Sequence, residues 1–232
     1  MMWEMYNIFI EHCSHGNLEQ TKKIYEEHPD IDISMYNEKA LRLSCEKGYI
    51  DIVKWLFQVK PNIDISINNE YPFRVACMFG YIELAKWLLQ IKPNICMVQL
   101  NEQHTISYAC CNGFLDVAKW LFEIYPNIFL YKDLSDNEFN VFILALKWSC
   151  EHGQLEVVKW LINLTNDISY LNSDVFERTC RNGHINIAKW IIETNKNIIL
   201  NLNYNHIFYE TCEYGHLNLA QWLLEIKPDI DI

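Results

Sequence analysis

Apolar positions recur along this chain in one phrase, copied seven times. In residues 50–59, Ile50, Ile52, Val53, Trp55, Leu56, Phe57 and Val59 fall at helical spacing with an unusually broad apolar face. A helix so apolar is covered on more than one side, as an inner member of a stack would be. Asp51 in its first turn favours the helix dipole, and Lys54 follows three residues later. The same order recurs at Glu83/Lys86, Asp116/Lys119 and Glu156/Lys159. Pro61 then forbids continuation of the helix. A shorter apolar segment, Ala40 to Cys45, precedes the long one. After the proline, Ile63-Asp64-Ile65 alternates and leads to a polar tip, Asn68-Asn69-Glu70, which predicts an extended finger. The unit reads as helix, turn, helix, proline stop, finger.

The turn is fixed by glycine. Gly16, Gly48, Gly80, Gly113, Gly153, Gly183 and Gly215 are the only glycines, spaced 32, 32, 33, 40, 30 and 32 residues apart. A cysteine stands three residues before each one, from Cys13 to Cys212. Six of the seven copies place tryptophan seven residues after the glycine: Trp55, Trp87, Trp120, Trp160, Trp190 and Trp222, expected as buried scaffold whose loss would cost roughly 3–5 kcal/mol each. Asx-Ile closes every copy, from Asp30-Ile31 to Asp229-Ile230. A unit this small cannot bury its own apolar face, so it stacks on its neighbours. The predicted fold is all-α, an α-solenoid of about seven stacked helix-turn-helix repeats with short extended fingers, forming one domain over residues 1–232.

These registers resemble the ankyrin repeat family over nearly the whole chain. Gly183-His184-Ile185-Asn186-Ile187-Ala188-Lys189-Trp190 and Gly153-Gln154-Leu155-Glu156-Val157-Val158-Lys159-Trp160-Leu161 match its second helix. Its paired small residues before the glycine appear as Ala76-Cys77, Ala109-Cys110, Ser149-Cys150 and Thr179-Cys180. Its Thr-Pro-Leu-His signature survives only as Tyr71-Pro72-Phe73-Arg74, which implies weakened bonding between neighbouring fingers. The Trp-, Asn-, Ile- and Tyr-rich style is similar to that of ankyrin arrays in giant DNA viruses of amoebae and in some protists, which would place the chain inside a host cell.

The net charge is −11, from 19 basic and 30 acidic residues. That argues against nucleic acid as a partner, because phosphate binding needs clustered Lys and Arg. No apolar run approaches the ~20 residues that cross a bilayer. Met1-Met2-Trp3-Glu4 lacks the basic and apolar segments of a signal peptide. The expectation is no membrane and an intracellular setting, cytoplasmic or nuclear. Seven of the nine cysteines share a small apolar slot, where cysteine acts as a small hydrophobe.

The pattern points away from catalysis, metals and cofactors. His12, Cys13 and His15 lie close together, but there is no Cys-x-x-Cys and no helical His pair of metal-ligand spacing. Cysteines repeated at an apolar slot are the reverse of a thiolate site. Glycines this far apart cannot form a phosphate loop.

The resemblance implies a non-enzymatic scaffold that binds an unidentified protein along finger tips and first helices. A substrate-recruiting adaptor for a host ubiquitin ligase is the runner-up, and an enzyme a weaker third. The residues just before each glycine vary between copies while scaffold slots do not. Glu46, Lys47, Met78, Phe79, Asn112, Glu151, His152, Arg181, Asn182 and Tyr214 are therefore candidate partner contacts, with Asn69, Tyr71 and His104 in the fingers. Met78-Phe79 reads either as an apolar hot spot or as a pair packed under the next finger. The long interval between Gly113 and Gly153 holds an insertion within residues 129–138, with Asp133 and Asp136 at an acidic tip, suited to a basic partner or simply a tolerated enlargement. The first copy carries Lys23 for tryptophan and reads as a polar cap. The last keeps Trp222, Leu223 and Leu224, so its far face would be apolar, the mark of a shortened array or of end-to-end self-association.

Overall fold

The computed structural model describes residues 2–95, 105–126 and 141–230. Fourteen α-helices and no strand are found among them. They fall in two compact units, Met1–Thr105 and Ile106–Ile232. In the first unit, α1 (Met2–Ser14) pairs with α2 (Leu18–Glu27), α3 (Met35–Glu46) with α4 (Ile50–Val59), and α5 (Ile67–Met78) with α6 (Ile82–Ile91). The second unit continues with α7 (Thr105–Cys111), α8 (Leu115–Ile124), α9 (Val141–Glu151), α10 (Leu155–Thr165), α11 (Ser173–Arg181), α12 (Ile185–Thr194), α13 (Tyr204–Glu213) and α14 (Leu217–Ile226). Within each unit the hairpins stack first helix on first helix, α1–α3–α5 and α9–α11–α13. This is the α-solenoid arrangement that the repeats predict.

The stack is tight where side chains are small. Cys45, Ala76, Cys77, Cys150 and Cys180 are fully buried on first helices. Thr179 and Thr211 are buried too, and each donates its hydroxyl to the carbonyl four residues back, Val175 and Ile207, both at 2.7 Å. Such a partner offsets the cost of burying a hydroxyl, although Ser44 in the same slot of α3 is buried with no partner among the described residues. Burial drives the Cys13 and Cys150 thiols up to about 12. Cys212 departs from the expected burial and is exposed, because no described first helix packs over this face of α13.

On second helices, Ile52, Val53 and Leu56, or Leu84, Ala85 and Leu88, form the buried stripe. The tryptophans are half-buried, not buried as expected. They fill the wider gap between second helices. Tyr25 meets Trp55 edge-on at 5.7 Å, Phe57 meets Trp87 at 5.2 Å, and Phe122 meets Trp160 at 6.1 Å. In each pair the ring nine residues after one glycine meets the tryptophan of the next copy, a geometry aromatic quadrupoles favour.

The fingers leading into α3 and α5 do not stay extended to their tips. Ile31 and Ile33, or Ile63 and Ile65, are buried around an exposed aspartate, so the alternation survives as a burial pattern. The chain then turns left-handed. Tyr36, Asn37 and Glu38 have φ of 55, 56 and 53°, and Asn68, Asn69 and Glu70 have 50, 57 and 59°. Such a conformation costs roughly 1–2 kcal/mol per residue bearing a Cβ. Arg42 offsets it by donating Nε to the Asn37 carbonyl at 2.8 Å and a terminal nitrogen to that of Tyr36 at 3.3 Å. Arg74 does likewise to Asn68 at 3.2 Å. Neighbouring fingers are also bonded, contrary to the weakening expected. Lys60 reaches Ser34 Oγ at 2.5 Å, Lys92 reaches Ser66 and Glu70, and the Asp64 amide donates to Glu38 Oε1 at 3.2 Å.

The turns at Gly16, Gly48, Gly113, Gly153 and Gly183 are each roofed by a side chain of the next copy. Gly48 has φ +73° and Gly183 +76°, a region that penalises a Cβ. An added Cβ would lie 2.7 Å from the ring of Tyr81 in the first case and 2.4 Å from His216 Nδ1 in the second. The His216 Nε2 lies 2.9 Å from the Arg181 carbonyl, which can only accept, so Nε2 carries the hydrogen. His184 makes the same bond to Glu151 at 2.8 Å. Gly215 has φ +78° but nothing within 4 Å of its Cβ position. Gly183→Ala should therefore cost more than about 2 kcal/mol and Gly215→Ala only about 1 kcal/mol, both by urea denaturation. Equal losses would remove the roofing contact as the reason for glycine.

Candidate functional site

Among the surfaces left free by stacking is the outer edge of the first helices with the turns that lead into them. Positions at equal distance from successive glycines lie side by side on this edge. In the first unit it presents Tyr36, Lys39, Arg42, Glu46 and Lys47 from the α3 repeat, beside Asn68, Asn69, Tyr71, Arg74, Met78 and Phe79 from the α5 repeat.

Tyr71 is the centre of this cluster. Its hydroxyl donates to Glu46 Oε1 at 2.6 Å, and the Arg42 and Arg74 guanidiniums sit 5.9 and 5.8 Å from its ring. Burial, with the Glu46 bond and charge, pushes the phenol up to about 12, and the two arginines oppose the shift. Tyr71 is thus a neutral donor clamped between two cations, an arrangement worth more when partly desolvated. Phe79 is 43% exposed, its ring 6.3 Å from that of Tyr81. Met78 beside it is half-buried. The two readings of this pair divide accordingly, with Phe79 outward and Met78 turned partly inward. Lys47 and Asn69 are exposed.

In the second unit the same edge is knitted across repeats. Arg178 on α11 pairs with Glu151 on α9 at 2.5 Å and with Asp174 at 2.9 Å, and Lys147 reaches Asp174 at 2.8 Å. Burial pushes the Asp174 carboxyl up, but the bonds from Lys147 and Arg178 outweigh it and hold the group below its usual range. Arg181 pairs with Glu210 on α13 at 2.5 Å. Asn112, His152 and Asn182 are exposed, and Tyr214 is 57% exposed. Tyr108 and Trp148 stack at 5.4 Å on the same edge. His104, Asp133 and Asp136 lie outside the described residues, as does the acidic insertion.

Among the candidates, Glu46, Glu151 and Arg181 thus bond to a neighbouring repeat as well as facing outward. Arg42, Arg74, Tyr108, Trp148 and Arg178 were not singled out by sequence. The signal was present, since the residues five and six before each glycine also vary between copies. No group of three or more His, Cys, Asp or Glu among the described residues is placed to hold a metal ion. No described helix is long and apolar enough to cross a membrane.

Comparison with known proteins gives a consistent picture. A family model described as ankyrin repeats in three copies matches residues 73–174 and 146–232, and one described as ankyrin repeats in many copies matches residues 39–89. No curated protein matches the chain by sequence. The crystal structure of the human ASB11 ankyrin repeat domain is similar, with a TM-score of 0.56 at 17% identity, covering 80% of this chain and 82% of that one. At that identity the likeness concerns the fold alone.

The inter-repeat ion pair should be measurable. A double-mutant cycle on Glu151→Ala and Arg178→Ala is expected to give a coupling of about 0.5–1 kcal/mol in denaturation, because both groups are partly desolvated. A coupling of zero would return both side chains to the pool of purely outward residues.

Proposed function

Because this chain belongs to the ankyrin repeat family, whose members are typically non-enzymatic scaffolds that mediate protein–protein interaction, we propose that it binds a partner protein along the first-helix edge and its left-handed tips. The observation that carries this is Phe79, exposed at the end of the helix whose Tyr71 lies between the Arg42 and Arg74 guanidiniums. Aromatic and arginine side chains are the residues that most often dominate binding energy. The candidates of the second unit, Glu151, His152, Arg181, Asn182 and Tyr214, extend this edge, and Asn112, His104, Asp133 and Asp136 belong to the same reading. An intracellular setting, within a host cell if the likeness to viral arrays reflects origin, fits the free thiols of the described cysteines.

The test uses the full chain as bait in a cell lysate, with cross-links mapped by mass spectrometry. Met78→Ser with Phe79→Ser should reduce capture of the enriched protein at least about tenfold, one hot-spot contact. Melting temperature should change little. A large stability loss would place the pair in the core and end its role as a contact. Recovery of ubiquitin-ligase subunits in the same capture would make the adaptor role the better description.

A second copy is a further proposed partner, favoured by the face of α13 and α14. Leu217 there is 67% exposed and Tyr209 64%. Light scattering over a range of concentrations should show a mass that rises with concentration and falls back to monomer on Leu217→Lys. A monomer at every concentration removes this reading.

A further inference from the structure

The first unit's edge differs from the second's in where its charges go. In the second unit, Lys147, Arg178 and Arg181 are all paired with Asp174, Glu151 and Glu210. On α3, Lys39, Arg42 and Lys47 meet no carboxylate at ion-pair distance among the described residues. Lys39 lies 6.0 Å from the Tyr36 ring, and Arg42 is held by two carbonyls and the Tyr71 ring, contacts that use its hydrogens but leave its charge. The carboxylates of α3 and α5 themselves are turned inward or engaged, although Glu46, like Arg42, keeps its charge. Glu38 is only 7% exposed and accepts the Asp64 amide, Glu70 is paired with Lys92, and Glu46 takes the Tyr71 hydroxyl. In a chain of net charge −11, this edge therefore carries an excess of cations, Lys39, Arg42 and Lys47 against Glu46.

From this placement we infer that the edge of α3 and α5 docks an acidic, extended segment of a protein partner. The inference rests on the protein-binding reading above and supplies the partner's chemistry. Lys47 and Phe79 each immediately precede their glycine and so lie one repeat apart, about 10 Å for packed helices. An extended chain advances about 3.3 Å per residue. The segment thus carries an acidic residue over Arg42 and Lys47, and an apolar residue about three positions along that covers Phe79. Arg42 is already fixed by its carbonyl bonds, so little side-chain freedom is lost on binding. Opposite charge also speeds encounter and rejects basic segments.

The experiment pans a random peptide library displayed on phage against the full chain. The expected yield is peptides pairing Asp or Glu with an aromatic or aliphatic residue at that spacing. The best of these, synthesised with a fluorophore and titrated by anisotropy, should bind about tenfold more weakly to Lys47→Glu, the size of one charge-assisted contact. It should also weaken as salt is raised. Lys47 is exposed, so its reversal should leave the circular dichroism spectrum and melting curve in place. Acidic peptides unmoved by Lys47→Glu, or failure to recover any acidic peptide, overturn the inference. Neutral or basic peptides that are lost on Phe79→Ser sink the acidic chemistry yet leave the docking edge standing. Peptides that cross-link away from α3 and α5 sink this edge as a site altogether.

Discussion

Close approach of consecutive first helices is the constraint on which the rest of this structure depends. It requires small side chains on the contacting faces, supplied by cysteine three residues before each glycine and, in every copy but the first, by Ala, Ser or Thr before that. Of the hydroxyls in the slot, Ser149, Thr179 and Thr211 satisfy themselves on their own helix, whereas buried Ser44 has no partner among the described residues. Once first helices touch, the next copy's Tyr, Gln or His necessarily lies over the preceding glycine, and a Cβ there has no room. The second helices, carrying bulkier residues, leave a gap that the Tyr25–Trp55, Phe57–Trp87 and Phe122–Trp160 pairs fill. Half-burial of the tryptophans follows from that position at the outer side of the gap.

The same constraint defines what is free to bind. Stacking consumes the inner faces of both helices, and the first-helix edge with its lead-in turns is among the surfaces it leaves. This edge is not independent of the stack. Glu46 with Tyr71, Glu151 with Arg178, and Arg181 with Glu210 join one repeat to the next through side chains that also face outward. Part of the variation between copies is therefore complementarity between neighbours, and a change made for binding at one repeat acts on the next. Nearest-neighbour coupling of this kind is how a solenoid distributes its stability.

The two units solve the problem of displaying charge differently. In the second, acids and bases cancel across α9, α11 and α13. In the first, left-handed turns are clamped by Arg42 and Arg74, which places cations at the surface and turns Glu38 and Glu70 inward. A strained backbone is held by the side chains that give the edge its character. That coupling of local strain to a recognition surface is a known pattern at sites that must be rigid before a partner arrives.

The helical hairpins, their glycine turns and the stacking of repeats were all legible in the sequence, because period and apolar spacing are local properties that any stacked arrangement must respect. The residue before each glycine could likewise be read as outward-facing from its variability. The left-handed turns at Tyr36–Glu38 and Asn68–Glu70 could not, since no glycine marks them and they exist only because Arg42 and Arg74 reach back from the following helix. The half-buried tryptophans and the exposed Cys212 were equally hidden, because both depend on the width of a gap or the presence of a neighbour. Sequence fixes what each repeat presents, but which side chains meet across a boundary depends on the separation of the helices, and only the tertiary structure sets that distance.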